Sequence, residues 1–163
     1  MGRDVAPRDS PGGIASGSTA PLRYDAGMTR DGLRATVVRV LLEAVPELRM
    51  IVLYGSHARG DATPASDVDV AILAPTKLDP ERVHATRETL ELALGRDVHL
   101  IDLLRASTVL RHEITRHGVV LHDDGSHDVQ QFLDFVLRDY VRLDEERSGI
   151  LQDIRERGRV HGG

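Results

Sequence analysis

The sequence predicts an α/β fold in which a small mixed β-sheet is flanked by helices and a long helix ends the chain. Short runs rich in β-branched residues and bounded by Gly or Pro are typical of strands. Between them, apolar residues recur at three- and four-residue spacing, which is typical of amphipathic helices. At 163 residues the chain is long enough for one ordinary domain with its own core. The predicted order is α, β, short α, β, α, β, α, β, α, without an internal repeat.

The composition excludes several classes of protein. The net charge is -5, only 3% of the residues are aromatic and there is no Trp, so a basic face with stacking rings for nucleic acid is not expected. Without Cys the chain has neither disulfides nor thiolate metal ligands, which fits a reducing compartment. No apolar run approaches the roughly 18 residues of a membrane span, and no apolar segment is typical of a signal peptide. We therefore expect a cytoplasmic protein with no membrane partner and no direct contact with nucleic acid.

Three regions of the chain differ in composition. Residues 1–27 hold five of the 15 Gly and three of the seven Pro and lack a periodic apolar pattern, so we expect a disordered N-terminal tail. Met28 opens a normal domain start, and we hypothesise that the native protein begins there. Residues 28–122 are predicted to form the folded domain. Residues 123–163 are predicted to form a C-terminal helix and tail that pack on the domain or on a partner.

The first elements are predicted from caps and apolar runs. Thr29 is a suitable N-cap for a helix whose apolar positions continue to Ala44, and Pro46 blocks its continuation. The continuous apolar run Met50–Tyr54 predicts a strand that is covered on both faces. The β-branched run Ser66–Leu73 predicts a second strand.

The later elements follow from the same signals. They are, in order, a helix from Asp79-Pro80 to Gly95, a strand over Val98–Leu103, a short helix from Ser107 or Thr108 to Gly118, and a short edge strand over Val119–Leu121. A helical stripe of about thirty residues begins at Asp128, and Ser148-Gly149 is a candidate break because a mid-helix Gly costs about 1 kcal/mol against Ala. We interpret this stripe as a face that packs on the core, with a docking surface for a partner as the alternative.

The candidate functional residues flank the loop between the first two strands. Gly55-Ser56 ends an apolar strand, ten residues follow, and Asp67 and Asp69 begin the next strand. Because residues i and i+2 share a strand face, the two acids point the same way. Two carboxylates held side by side repel each other unless a divalent cation lies between them. Ligands that are all oxygen favour Mg²⁺ or Mn²⁺ over Zn²⁺.

Gly55, Ser56 and Arg59 are candidates for holding phosphate. A Gly after a strand lets backbone N–H groups approach a phosphate closely, and the Ser56 hydroxyl adds a donor. A short helix over Ser56–Arg59 would add the positive end of its dipole, and the Arg59 guanidinium offers two parallel hydrogen bonds. A phosphate-binding turn opposite a metal-binding pair of acids is the equipment for attack at a phosphorus centre.

The stretch GSHARGDATPASDVDVAI closely resembles the signature of the DNA polymerase β-like nucleotidyltransferases, in which Gly-Ser, ten residues and Asp-x-Asp mark the active site. The short chain and the GSxARG form resemble the minimal nucleotidyltransferase (MNT) family, the antitoxins that are paired with HEPN ribonuclease toxins. The likeness covers roughly Met28 to His122, so residues 28–122 are expected to form a nucleotidyltransferase domain with the polymerase β-like fold. The long final helix is a plausible family appendage.

The resemblance also implies roles for individual residues. Gly55 and Ser56 would hold the nucleoside triphosphate, Arg59 would assist its phosphates, and Asp67 and Asp69 would bind Mg²⁺. Ser56 and the two acids are the implied catalytic residues. Family members described as antitoxins transfer AMP from ATP to a tyrosine hydroxyl of the toxin and release pyrophosphate. The resemblance therefore implies a HEPN-type toxin as partner, with a hetero-oligomer as one arrangement.

One residue departs from the family pattern. Such proteins usually carry a third carboxylate on a neighbouring strand, and the corresponding position here is His99. His is a poor Mg²⁺ ligand, although it can act as a base near neutral pH. Asp97 shares the strand face with His99 by alternation, whereas Asp102 falls on the other face. The third group is therefore Asp97, His99 or neither.

Two other functions stay open at this point. One keeps the enzyme but replaces the acceptor by a small hydroxylated molecule such as an aminoglycoside. The other is a non-catalytic module that only binds and occludes its toxin, and the departure at His99 motivates it. The chain has no room for the additional helical domains that grip acceptors in larger relatives, which favours an acceptor that brings its own recognition surface.

Overall fold

The computed structural model describes residues 28–160, without the side chains of residue 153 and residues 155–160, so the predicted tail 1–27 lies outside the described residues. The helices are Arg30–Ala44 (α1), Gly55–Arg59 (α2), Pro80–Leu94 (α3), Thr108–His117 (α4) and His127–Val160 (α5). The strands are Met50–Tyr54 (β1), Val68–Leu73 (β2), Val98–Asp102 (β3) and Val119–Asp123 (β4). Within 28–160, no helix combines the length and apolar character that crossing a membrane requires.

The helix starts are fixed by the side chains that the sequence indicates. The Thr29 hydroxyl accepts a hydrogen bond from the Gly32 N–H at 3.1 Å, and the Asp79 carboxylate accepts one from the Glu81 N–H at 2.9 Å. Ser107 caps α4, which decides between the two predicted starts. These bonds satisfy amide groups that have no partner within the helix.

The four strands form one mixed sheet in the order β3-β2-β1-β4. β1 is antiparallel to both of its neighbours, whereas β2 and β3 are parallel and are joined by α3. The mixed sheet and the edge position of β4 confirm the predicted architecture. β4 runs to Asp123, two residues beyond the predicted end, because its last residue still pairs with Met50.

Each face of the sheet is covered by a separate apolar cluster. The first core joins the sheet to α1 and α3, and the second core joins its other face to α4 and α5. In β2, Val68, Val70 and Ile72 enter the first core, while Ala71 and Leu73 enter the second. Asp69 lies on the same strand face as Ala71, so by alternation its side chain is directed to the side of the second core.

Helix α5 differs from the prediction at Ser148-Gly149. The helix continues unbroken from His127 to Val160, so the expected break was wrong. A Cβ added at Gly149 would meet no atom within 4 Å, and the roughly 1 kcal/mol propensity cost of one exposed Gly does not end a helix of this length. The first half of the stripe packs on the core, since Val129 and Val136 are buried. In the second half this interpretation does not hold for Ile150, which is 61% exposed.

Candidate active site

The turn between β1 and α2 requires glycine at position 55. Gly55 has a φ of +65°, which L side chains rarely adopt, and it follows Tyr54 directly. A Cβ at this position would overlap the Asp69 carboxylate oxygen Oδ2. The backbone of Gly55 therefore approaches the acid more closely than any other residue type would permit.

The two acids lie at the start of β2. Asp69 is the second residue of the strand and is paired with Tyr54 on β1 and with His99 on β3. Asp67 immediately precedes the strand and is exposed, whereas the side chain of Asp69 is 22% exposed. The structure thus brings Asp69 against the Gly55 turn, as the motif spacing implies.

The charge on Asp69 is poorly solvated. Burial raises the pKa of this carboxyl, and the negative charge of Asp67 raises it further. His99, His57 and Arg59 lower the pKa of Asp69 and so offset part of this effect. A half-buried carboxylate beside a second acid is stabilised by a bound cation, which fits the oxygen ligands that Mg²⁺ and Mn²⁺ prefer.

Tyr54 borders the same site from β1. Burial, together with the charge of Asp69, raises the pKa of Tyr54 to about 12. Its phenol therefore stays protonated near neutral pH, where the hydroxyl can donate or accept a hydrogen bond and the ring can pack against a ligand.

Ser56 and Arg59 both lie on α2. The Ser56 carbonyl accepts hydrogen bonds from the Gly60 and Asp61 N–H groups, and its side chain is half-buried. Arg59 is exposed, and its Nε lies 3.2 Å from Asp61 Oδ2. An arriving phosphate would have to compete with Asp61 for this guanidinium.

The structure separates the two candidates for the third group. His99 Nδ1 lies 3.6 Å from Asp69 Oδ1, although the His99 side chain is 76% exposed. Asp97 precedes β3, where its carbonyl accepts a hydrogen bond from the Val68 N–H, and its side chain lines a surface depression with Glu88 and Glu91. Among residues 28–160 no group of three or more acids or histidines is arranged to hold a metal.

Asp102 has a structural setting on the opposite face, as alternation predicts. It is 4% exposed and accepts hydrogen bonds from the Leu78 N–H at 3.0 Å and the Leu104 N–H at 2.9 Å. Its carboxylate therefore joins the end of β3 to the segment before α3.

A cleft of about 330 Å³ lies beside the Gly55 turn. It is lined by Tyr54, Gly55 and Arg59 and by residues of α4 and its C-cap, namely Leu110, Glu113, Ile114, His117 and Gly118. Glu113 and His117 are site residues that the sequence did not predict. Their helical spacing from Leu110 places them on one face of α4, but nothing local in the sequence indicates that this face meets α2.

Comparison with known proteins places this fold and site in a family. Residues 38–126 match the family described as polymerase beta, nucleotidyltransferase. The four-stranded sheet, the Gly-Ser turn and the paired acids define a protein of the nucleotidyltransferase class. The chain belongs to the polymerase beta nucleotidyltransferase family.

Individual relatives match most of the described chain. The protein adenylyltransferase MntA of Shewanella oneidensis is 33% identical over 118 residues, which are 72% of this chain and 84% of that protein. A crystal structure of a toxin-antitoxin with AMP-PNP aligns with a TM-score of 0.67 and 32% identity over 75% of this chain and 98% of that chain. A complex of tri-AMPylated Shewanella oneidensis HEPN toxin with MNT antitoxin aligns with a TM-score of 0.64 and 29% identity over 78% and 99% of the two chains.

Proposed function

We propose that this protein is an antitoxin that transfers AMP from ATP to a tyrosine of a HEPN-type toxin. The observation that carries the proposal is the close approach of the Asp69 carboxylate to the Gly55 turn, with Asp67 two residues before it at the start of β2. The matches to MntA and to toxin-antitoxin complexes extend over nearly the whole of those relatives, which supports the same acceptor class here. The absence of Cys supports a cytoplasmic location.

Asp67 and Asp69 are the residues that would hold Mg²⁺ or Mn²⁺. The raised pKa of Asp69 and the all-oxygen donor pair support a hard divalent cation at this position. Such an ion supplies positive charge that stabilises the attacking and leaving oxygens of a phosphoryl-group transfer.

The Gly55 backbone, the Ser56 hydroxyl and Arg59 would bind the triphosphate of ATP. Because Gly55 has no Cβ, no side chain at this position keeps the phosphates away from Asp69. Arg59 would exchange its pairing with Asp61 for a phosphate, which is the stronger acceptor because it carries more charge. The cleft beside α4 offers apolar surface for the nucleoside.

In the proposed reaction the tyrosine oxygen of the toxin bonds to the α-phosphorus of ATP. The bond from this phosphorus to the bridging oxygen breaks, and pyrophosphate leaves. The proton of the tyrosine hydroxyl passes to a base, for which His99 is the candidate beside Asp69 and Asp97, just before β3, is the alternative. Replacing each by Ala separates them, since only loss of the base slows transfer and flattens its pH profile.

The direct test is to incubate the full chain with ATP, Mg²⁺ and its HEPN partner and to measure the partner by mass spectrometry. We expect AMP on a tyrosine of the partner. In the variants Asp67→Asn and Asp69→Asn, transfer should be slower by about a thousandfold. A partner of unchanged mass would contradict the proposal.

Two control measurements address the other functions. Transfer to an aminoglycoside panel instead of the HEPN protein would identify a small-molecule enzyme. Full neutralisation of the toxin by Asp69→Asn would identify a module that acts by binding alone.

A further inference from the structure

A second, basic cavity lies between α1, α2 and the loop that leads to Asp67. Its volume is about 210 Å³. It is lined by Met28, Thr29, Arg30, Leu33, Arg34, Leu53, His57, Ala62, Thr63, Pro64 and Arg96. Three of these residues are arginines, and none of the described lining residues is acidic. The chain as a whole carries a net charge of -5. The lining of the cavity is thus basic, and its positive charge comes chiefly from Arg30 and Arg34, because Arg96 also lines a surface depression with Glu88, Glu91 and Asp97.

The basic cavity is separate from the cleft beside Gly55. Leu33 and Leu53 belong to the first core, whereas Tyr54 and Leu110 of the cleft pack on the second core, so the sheet lies between the two. Helix α2 also separates them, because His57 faces the basic cavity while Arg59 faces the cleft. A ligand in the basic cavity would therefore not be the ATP of the proposed reaction.

His57 contributes a polar atom that lacks a partner. Its Nε2 is buried and makes no hydrogen bond among the described residues. A buried polar nitrogen without a partner costs free energy that a ligand in the cavity would recover. His57 and the three arginines line the same small space.

We propose that the basic cavity binds the phosphate group of a small anion. A phosphate carries roughly -1.5 to -2 charges near neutral pH and matches the fork of a guanidinium, so three arginines favour it over a carboxylate. The volume of about 210 Å³ lies below the roughly 300–1,000 Å³ of cavities for larger ligands, which favours phosphate or pyrophosphate.

Occupancy of the basic cavity would connect two elements beside the acid pair. Arg30 of α1 already donates a hydrogen bond from Nη2 to the Gly60 carbonyl at 2.9 Å, at the C-cap of α2. A phosphate held by Arg30, Arg34 and His57 would strengthen this connection and restrain the loop that ends at Asp67. Pyrophosphate, the product of the proposed reaction, could then act on the enzyme from outside its active site.

The test is calorimetric titration of the metal-free full chain with inorganic phosphate, pyrophosphate, AMP and acetate, in the absence of ATP and toxin. We expect one saturable site for phosphate or pyrophosphate, and chemical-shift changes at the His57 ring in NMR spectra of the same titration. Arg34→Gln should weaken this binding by about tenfold or more, because a charged hydrogen bond is lost.

Arg39→Gln is the matched control. Arg39 lies on the same helix as Arg34 but pairs with Glu43 and does not line the basic cavity, so its replacement should leave the affinity unchanged. Asp67→Asn should also retain binding, because the cavity is outside the acid pair. The comparison of phosphate, pyrophosphate and AMP identifies which small molecule carries the group.

Three outcomes would overturn the proposal: no saturable binding of any phosphate probe, equal affinity of Arg34→Gln and the wild type, or equal affinity for acetate and phosphate. None of them depends on transfer activity. Failure of this inference is therefore distinguishable from failure of the proposed function, which is measured on the toxin.

Discussion

Burial raises the pKa of Asp69, so its ionised form is less stable in the folded protein than in the unfolded chain. This destabilisation of the folded state is absent below the ordinary pKa of Asp, about 3.9, because the carboxyl is then protonated in both the folded and the unfolded state. As the pH rises from this value through the raised pKa of the folded state, Asp69 ionises and the free energy of unfolding falls. At neutral pH, metal-free Asp69 is therefore a destabilising residue that the proposed activity requires.

We expect Asp69→Asn to raise the melting temperature of the metal-free protein at pH 7, because the poorly solvated charge is removed. The gain should disappear as the pH falls below 4, and Mg²⁺ should stabilise the wild type but not the variant. Thermal melts with EDTA and with Mg²⁺ across this pH range measure both effects. Asp144→Asn, at an exposed position on α5, is the control that should not change. An unchanged or lower melting temperature of Asp69→Asn at pH 7 would contradict the account.

Gly55 permits a separate test of the close approach to Asp69. Gly55→Ala and Gly95→Ala both place a side chain at a positive φ, at +65° and +62°, so the backbone strain alone should cost each variant about 1–2 kcal/mol of unfolding free energy. Only Gly55→Ala also displaces the Asp69 carboxylate, so we expect a loss of transfer of about a hundredfold or more in that variant alone. Denaturant melts and the transfer assay separate the two effects, and similar transfer rates in both variants would show that the contact is unimportant.

At the scale of elements, the site depends on where α4 packs. Its cap is local, since the Ser107 hydroxyl accepts a hydrogen bond from the Leu110 N–H. Its position is not local: the Arg111 guanidinium donates from Nε to the Leu103 carbonyl at 2.7 Å, and the Thr108 hydroxyl donates to Asp139 Oδ2 on α5 at 2.6 Å. These bonds position α4 so that one of its faces lines the cleft across from Gly55 and Arg59.

Leu110→Gln should raise the KM for ATP by about tenfold with a smaller effect on kcat, because a half-buried apolar wall of the cleft becomes polar. Val109→Gln is the matched control, because Val109 precedes Leu110 directly, is 40% exposed and does not line the cleft. Steady-state transfer kinetics test the pair, with a circular dichroism melt to confirm folding. If the two variants have the same KM, the cleft does not hold the nucleoside.

At the scale of the whole molecule, the sheet is covered on both faces, and α5 contributes to only one of the two cores. The described side chains in its first three turns include buried Val129, Phe132 and Val136, whereas Ile150 and Ile154 are each 61% exposed. The stability of the chain should therefore depend on the first half of α5 and not on the second.

Phe132→Ala should lower the free energy of unfolding by about 3 kcal/mol, because it leaves a cavity in the second core. Ile150→Ala, on the same helix, should change it by less than about 0.5 kcal/mol. Urea unfolding of the full chain measures both values. Equal losses would show that the second half of α5 is also packed.

Features that depend on neighbouring residues could be predicted from the sequence alone. Caps such as Thr29 and Asp79 and apolar periodicity located the elements to within one or two residues, and the Gly55-Ser56 to Asp67 spacing identified the candidate site. The break at Ser148-Gly149 was the exception, because local propensity costs too little to end a long helix.

The packing of the elements, by contrast, brings together residues that are distant in the sequence, and this could not be predicted from local patterns. The pairing of His99 with Asp69, the α4 wall of the cleft and the basic cavity around His57 each join segments that are far apart in the chain. Local signals act through caps and periodicity within a few residues. Contacts between elements depend instead on strand order and on which helix faces cover which side of the sheet, and these are set by the packing of the whole core.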